Sequence, residues 1–402
     1  MIKPRKIFKN LKLYYSSPEA VIITGMRRTG KTTVLQHIYN DIKSGNKLFI
    51  DLENPLNRKY FEEENYERIK TTLIGLGIDF SQPAYLFLDE IQFVRSLPSV
   101  VKYFIDHYET KFFLTGSASF YLKNLFTETL AGRKYLFHLY PLSFQEFLQF
   151  KGSSITLPAR PENVTKPLHD TISNLYDEYV LYGGFPGVVL KDTVEEKNRS
   201  LDDIFTSFFH LEVTQLGDFK RNNVIRDLML LLMQRAGTRL DIQKISKELG
   251  IARPTIKEYI AFLQGTFFVN TVPPLSKGKD IEIRKAPKIY GCDSGLLNRF
   301  AKLDRGPLFE NSVLQNLLPA GEVHYYQRKS GVEIDFILSR MHAYEVKIHP
   351  EESDVKRLST LAHELELETY DVVSKDYTTL PNALYAFQLG GEAAKAVKGF
   401  AQ

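Results

Sequence analysis

In the first third of the chain, short runs of consecutive apolar residues alternate with stretches whose apolar positions recur every three to four residues. The runs fall at 20–23, 48–50, 85–88, 112–114 and 135–139, with amphipathic stretches such as 32–42 and 98–107 between them. This alternation predicts an α/β domain, a parallel sheet covered by helices. The unbroken apolar runs predict strands buried on both faces. From 141 to about 220 the pattern turns helical (144–150, 171–181, 201–209). It is interrupted by a Pro/Ser/Thr-rich loop at 152–167 and by Tyr182-Gly183-Gly184-Phe185-Pro186-Gly187. These helices read as a lid on the preceding sheet, and Phe205, Phe208 and Phe209, at helical spacing, as its core.

Three more helical patterns follow at 224–236, 241–248 and 254–264, then extended segments at 267–272 and 281–283. Three helices and a β-ribbon predict a winged helix, with Leu249-Gly250-Ile251-Ala252 as its turn. From about 306 the order is helix (309–317), three strands (323–327, 332–338, 343–348), helix (354–364) and strand (369–373). The expected division is therefore 1–140, 141–220, 221–290 and 291–402.

Composition narrows this picture. The single cysteine, Cys292, excludes an intramolecular disulfide and a cysteine zinc cluster among the 402 residues, which fits a reducing compartment. It reads as a packed thiol. A net charge of +4 is too mild to argue for a nucleic-acid or membrane partner by itself. The basic stretch from Met1 to Asn10 is followed by no apolar region of a secretory leader, and no apolar run reaches bilayer-spanning length. A cytoplasmic location without membrane contact is the expectation.

Gly25-Met26-Arg27-Arg28-Thr29-Gly30-Lys31-Thr32 fits the phosphate-loop pattern G-x-x-x-x-G-K-[ST] at every fixed position. An apolar strand precedes it, and a helix beginning at Thr33 continues it. Glycines let the backbone turn its N–H groups onto phosphates, and the helix N-terminus adds a favourable dipole. Lys31 is expected on the β- and γ-phosphates and Thr32 on magnesium. The run 85–88 then delivers Asp89 and Glu90 at its C-terminal end, where open α/β sheets bind ligands. Asp89 is expected to share the magnesium with Thr32, and Glu90 to orient the attacking water. The next strand ends in Thr115-Gly116-Ser117-Ala118-Ser119. Ser117 is the first candidate for a polar group facing the γ-phosphate, Thr115 the second. Arg133 is a candidate arginine finger or sensor, acting in its own subunit or a neighbour's. Arg27 and Arg28 are expected to face outwards.

These motifs resemble the AAA-type ATPases, and in particular a prokaryotic family in which the ATPase core leads into a winged helix and a restriction-endonuclease-like module. The residues carrying the resemblance are the loop, Asp89-Glu90, Leu114-Thr115-Gly116-Ser117, Gly132-Arg133, Tyr140-Pro141-Leu142-Ser143-Phe144-Gln145-Glu146-Phe147, Tyr182 to Pro186, and Phe309-Glu310-Asn311. The resemblance implies ATP and Mg as cofactors, with ATP hydrolysis. Duplex DNA and a second copy of the chain are the candidate partners.

The terminal helix–strand–strand–strand–helix–strand order resembles the core of PD-(D/E)xK nucleases. Strand alternation places Glu333 and Asp335 on one face of their strand, and Glu345 and Lys347 on one face of the next. Two neighbouring strands can therefore gather Asp335, Glu345 and Lys347, with Glu310 from the preceding helix. The carboxylates would bind a hard divalent cation, and Lys347 would orient the water. A cross-strand salt bridge, or a vestigial nuclease fold, explains the same residues. Likewise Arg253, Thr255 and Lys257 begin the candidate recognition helix, but four cations against three acids over 241–260 equally suit a spacer or docking module. His342 and His349 read as solvated.

Overall fold

The computed structural model describes residues 2–117, 130–217, 219, 221–276 and 285–390. The chain forms two compact units. One is residues 1–140 with 265–267; the other is residues 141–264 with 268–402.

The first unit is built on five parallel strands: β1 (Ala20–Thr24), β2 (Lys47–Asp51), β3 (Ala84–Asp89), β4 (Thr110–Gly116) and β5 (Lys134–His138), in the order β2-β3-β4-β1-β5. Alternate side chains serve two cores. Ile22, Leu86, Leu88, Phe112 and Leu114 pack against Leu97, Val100 and Phe104 of the helix Leu97–His107. Val21, Ile23, Phe87 and Phe113 pack against Val34, Leu35 and Ile38 of the helix Lys31–Asp41. Burial on both faces holds for β1, β3 and β4. It fails for β2 and β5, which are edge strands with half-exposed positions. An apolar run alone does not distinguish an edge from a centre.

The second unit takes the segments 141–220, 221–290 and 291–402 together. The helix Ser294–Ala301 packs on Lys166–Tyr182, Val194–Phe208 and Asn222–Gln234, so it joins segments that the sequence pattern separates. Phe205 stacks on Phe300 and Phe208 on Phe268, placing both in the core. Helices Asn222–Gln234, Ile242–Leu249 and Arg253–Gly265 precede an antiparallel ribbon of β6 (Val269–Val272) and β7 (Lys288–Gly291). The expected extended segment 281–283 lies outside the described residues. The ribbon partner is β7, which the pattern did not single out.

The remaining strands are β8 (Val323–Gln327), β9 (Glu333–Leu338), β10 (His342–Lys347), β11 (Thr369–Ser374) and a short β12 (Ala383–Tyr385). They form one sheet in the order β12-β11-β10-β9-β8. β8, β9 and β10 run antiparallel; β10, β11 and β12 run parallel. The helix Arg305–Leu317 precedes β8, and the helix Glu352–Glu364 connects β10 to β11.

The motif segments of this unit meet around buried polar groups. The Leu142 amide donates to the Gly184 carbonyl (2.7 Å), and the Gly184 amide to Asp293 Oδ2 (2.7 Å). Ser143 and Glu146 form a capping box, and the Phe144 amide donates to Asn316 Oδ1 (2.8 Å). Asp293 also accepts from the Gly295 amide and from Gln315, which satisfies a carboxylate whose pKa burial raises to about 6. Gly184 has no room for a side chain, because a β-carbon would overlap the Leu142 backbone; Gly187 faces open space. Gly184→Ala is expected to cost about 1–3 kcal/mol of stability, and Gly187→Ala to stay within about 0.5 kcal/mol, as read from chemical-denaturation curves.

Candidate functional site

The glycine-rich loop leaves the C-terminal end of β1. Gly25 passes directly under Leu139, where any side chain would strike the Leu139 carbonyl. The Leu139 amide in turn donates to the Thr24 carbonyl (2.7 Å). Gly30 adopts φ +98°, in the left-handed region that favours glycine, and starts the helix Lys31–Asp41. The Thr29 hydroxyl donates to the Met26 carbonyl (2.8 Å) and closes the turn. The first amides of that helix have no partners within it, and the helix dipole adds to them, making this end an anion site. Lys31 is buried, and its Nζ donates to the carbonyls of Gly25 (3.0 Å) and Met26 (3.1 Å). To reach a phosphate it must exchange those bonds. Arg5, which sequence reading missed, donates to the carbonyls of Thr29 (3.0 Å) and Tyr140 (2.8 Å) and braces the loop from behind.

The parallel register brings the acid pair alongside. The Thr32 hydroxyl donates to Asp89 Oδ2 at 2.7 Å, and the Thr115 hydroxyl donates to Asp89 Oδ1. Burial raises the Asp89 pKa, while the hydrogen bonds from Thr115 and Thr32 pull it back. These hard oxygen donors suit magnesium. Glu90 follows in a left-handed conformation (φ +55°), unusual for a side-chain-bearing residue, with its amide on Thr115 Oγ1 (3.2 Å). Gln92 donates both to the Glu90 carboxylate and to Ser117 Oγ (2.9 Å). Thr115 thus contacts the aspartate, and Ser117 contacts Gln92. Ala118 and Ser119 lie outside the described residues.

Two expectations need correction. Arg27 does not face outwards: its guanidinium pairs with Glu53 (2.8 Å) and approaches Glu90 (3.9 Å), drawn in by two acids at the ends of β2 and β3. Arg28 is exposed, as is Thr33. Arg133 is not at the loop of its own chain. It directly precedes β5, in register with the start of β1, about 16 Å of strand from Gly25. There it pairs with Asp106 (2.7 Å). The parallel register thus sets Arg133 at the end of the strands opposite to the one that carries the loop.

In the second unit, Asp335 and Glu345 come from antiparallel neighbours β9 and β10, one step in register beyond Phe336 and Tyr344. Asp335 Oδ2 accepts from the Val346 amide (2.8 Å). Glu345 Oε1 pairs with Lys347 (3.0 Å) and Arg357 (2.6 Å). Glu310 accepts from the Tyr290 hydroxyl (2.6 Å). Lys288 of β7 is buried among Glu310, Glu333 and Asp335. Burial raises the pKa of Asp335, Glu310 and Glu345, and mutual repulsion adds to it for the two glutamates. Among the described residues no three acidic, His or Cys side chains are arranged as a metal shell. Lys288, Tyr290 and Arg357 were not singled out from sequence; a lysine inside the apolar strand Lys288–Gly291 was the available signal. His342 is not merely solvated, since it bonds Asp371 (2.8 Å) and Thr369 (2.6 Å). His349 is exposed beside Asp376. Cys292 is buried, and burial pushes its thiol up, away from reactivity.

Residues 17–148 match the family model described as an AAA domain, and residues 173–306 match a domain of unknown function. The first unit is accordingly an AAA-type P-loop domain. Similar chains include an uncharacterized protein of Haemophilus influenzae, 27% identical over 88% of this chain and 90% of that one. Another, from Methanocaldococcus jannaschii, is 25% identical over 93% and 83%. Among solved structures, a Walker-type ATPase of Pyrococcus abyssi aligns over 75% of this chain and 96% of its own, at 14% identity and TM-score 0.44. The ORC2 protein of Aeropyrum pernix aligns over 78% and 96%, at 11% identity and TM-score 0.44. No described helix is long and apolar enough to cross a membrane. Gly25→Ala is expected to abolish binding of a fluorescent nucleotide and to lower the melting temperature, because the added methyl strikes backbone rather than a movable side chain.

Proposed function

We propose that this chain is a magnesium-dependent ATPase whose nucleotide state acts as a switch on a DNA-directed C-terminal half. The observation that carries the reading is the Thr32–Asp89 hydrogen bond at the mouth of the glycine loop (2.7 Å), with Lys31 one residue away on the same helix turn. Loop amides and the helix N-terminus bind the phosphates, and Lys31 leaves its carbonyl partners for the β- and γ-oxygens. Thr32 and Asp89 would hold magnesium, which when bound neutralises phosphate charge. Glu90 orients the attacking water, and Gln92 holds the Glu90 carboxylate in place.

Lys31→Ala is expected to abolish ATP binding, and Glu90→Gln to retain binding while losing turnover. Equal affinity of wild type and Lys31→Ala for labelled ATP defeats the reading. The Arg133–Asp106 pair away from the loop favours a role of Arg133 towards a neighbouring copy, which is tested by ATP turnover against protein concentration.

Three helices followed by a β-ribbon support a winged helix that contacts duplex DNA through the exposed Arg253 and Lys257. Turnover measured with and without duplex DNA at low salt tests that coupling. For the last sheet, a nuclease site is supported by its all-oxygen donor set and by Glu345 Oε2, which is buried without a hydrogen-bond partner. Asp335, Glu345 and Glu310 would hold a divalent cation there, and Lys347 would orient water. A second reading, a non-nuclease module latched by ATP, is favoured by Lys288 standing among the same carboxylates. Plasmid nicking with Mg or Mn separates the two. Activity that disappears in Asp335→Ala supports the nuclease, whereas absence of nicking in wild type supports the latch.

A further inference from the structure

We propose that Lys288 is a built-in counter-ion of the C-terminal carboxylate set, and that a divalent cation enters this set only by displacing the Lys288 ammonium. The inference rests on the reading of these carboxylates as cation ligands, and not on nuclease activity. Lys288 does not belong to the five-stranded sheet that carries Asp335 and Glu345. It comes from β7 of the ribbon, and β7 delivers it together with Tyr290, which donates to Glu310.

The placement of the ammonium is that of a shared ion. Its Nζ lies 3.4 Å from Glu333, 3.8 Å from Asp335 and 3.9 Å from Glu310. A lysine docked on one carboxylate sits at about 2.7–2.9 Å. Lys288 instead occupies the space between three, while only 4% exposed. An ammonium this buried stays charged because its acidic neighbours offset the loss of hydration. Oxygen-ligated divalent cations need about 2.0–2.6 Å, so the carboxylates must close inwards, and they can do so only once the ammonium has left.

Two further observations point to a cation deficit. Among the described residues, the ion pairs of Glu310, Glu333, Asp335, Glu345 and Asp354 are made with Lys288, Lys347 and Arg357, five carboxylates to three cations. Independently, Glu345 is 3% exposed, and its Oε2 is buried with no hydrogen-bond partner although Oε1 has two cationic ones. A buried carboxylate oxygen without a partner is costly unless a cation or proton reaches it. The four-carbon stem of Lys288 allows the ammonium to swing away without moving the backbone.

The test titrates Mn²⁺ into the full-length, nucleotide-free protein and follows free Mn²⁺ by electron paramagnetic resonance. Lys288→Gln is expected to bind Mn²⁺ about ten-fold or more tightly than wild type, since one unit charge is removed within about 4 Å of the site. The gain is expected to vanish in Lys288→Gln/Asp335→Asn and to be absent in Lys288→Arg. Equal affinity of wild type and a folded Lys288→Gln, or a gain that survives Asp335→Asn, overturns the proposal. Should Lys288→Gln fail to fold, acetylation of wild type decides. Acetic anhydride labelling of Lys288, read by mass spectrometry, is expected to rise when millimolar Mg²⁺ is added, and labelling unchanged by Mg²⁺ overturns the proposal. Nicking assays on the same samples keep the two readings apart: tighter Mn²⁺ binding without nicking removes the nuclease and leaves Lys288 as the displaced ion.

Discussion

The N-terminal site depends on one constraint, the parallel register that ends β1, β3 and β4 at the same edge of the sheet. Thr24 stands beside Gly116, and Leu88 beside Leu114, so the glycine loop, the acid pair and Thr115 emerge together. Central burial makes this register costly to slip, because a one-residue shift would carry every side chain to the opposite core. The same register places Arg133 at the far edge. A single geometric rule thus gathers the glycine loop and the acid pair at one end of the strands and leaves Arg133 at the other.

The second unit solves a different problem. It buries many polar groups, and it pairs several of them with groups distant in sequence. Asp293 receives Gly184 and Gln315, and Asn316 receives the start of the helix Phe144–Lys151. The segments 140–147 and 182–186, which stand out as motifs, therefore serve as mutual packing and hydrogen-bonding partners. Their chemistry is structural. The acidic set around Asp335 follows the same logic with ions, since Lys288, Lys347 and Arg357 stand beside carboxylates whose pKa burial raises.

The strands of the first unit, its loop and its acid pair were legible because each is written locally. An apolar run, a glycine spacing and two adjacent acids need no distant partner to be recognised. The helices and strands after residue 306 were legible for the same reason, apart from the short β12. The exposure of β2 and β5 was not, since edge position follows from strand order and strand order from long-range packing. Arg5, Gln92 and Lys288 escaped notice because nothing beside them in sequence marks their role. Each acts on a group that only folding brings near.

Read by itself, the chain of residues specified a glycine-rich turn between a buried strand and a helix, and acids delivered by a second strand. Those features arise from backbone conformations that neighbouring residues impose. Which charged groups actually meet was settled by folding. Arg27 turns towards Glu53 and Glu90, Arg133 towards Asp106, and Lys288 into the acidic set. The reason is that the energy of a charge depends on its burial and on the sign of what surrounds it, and both are properties of assembled elements rather than of local sequence.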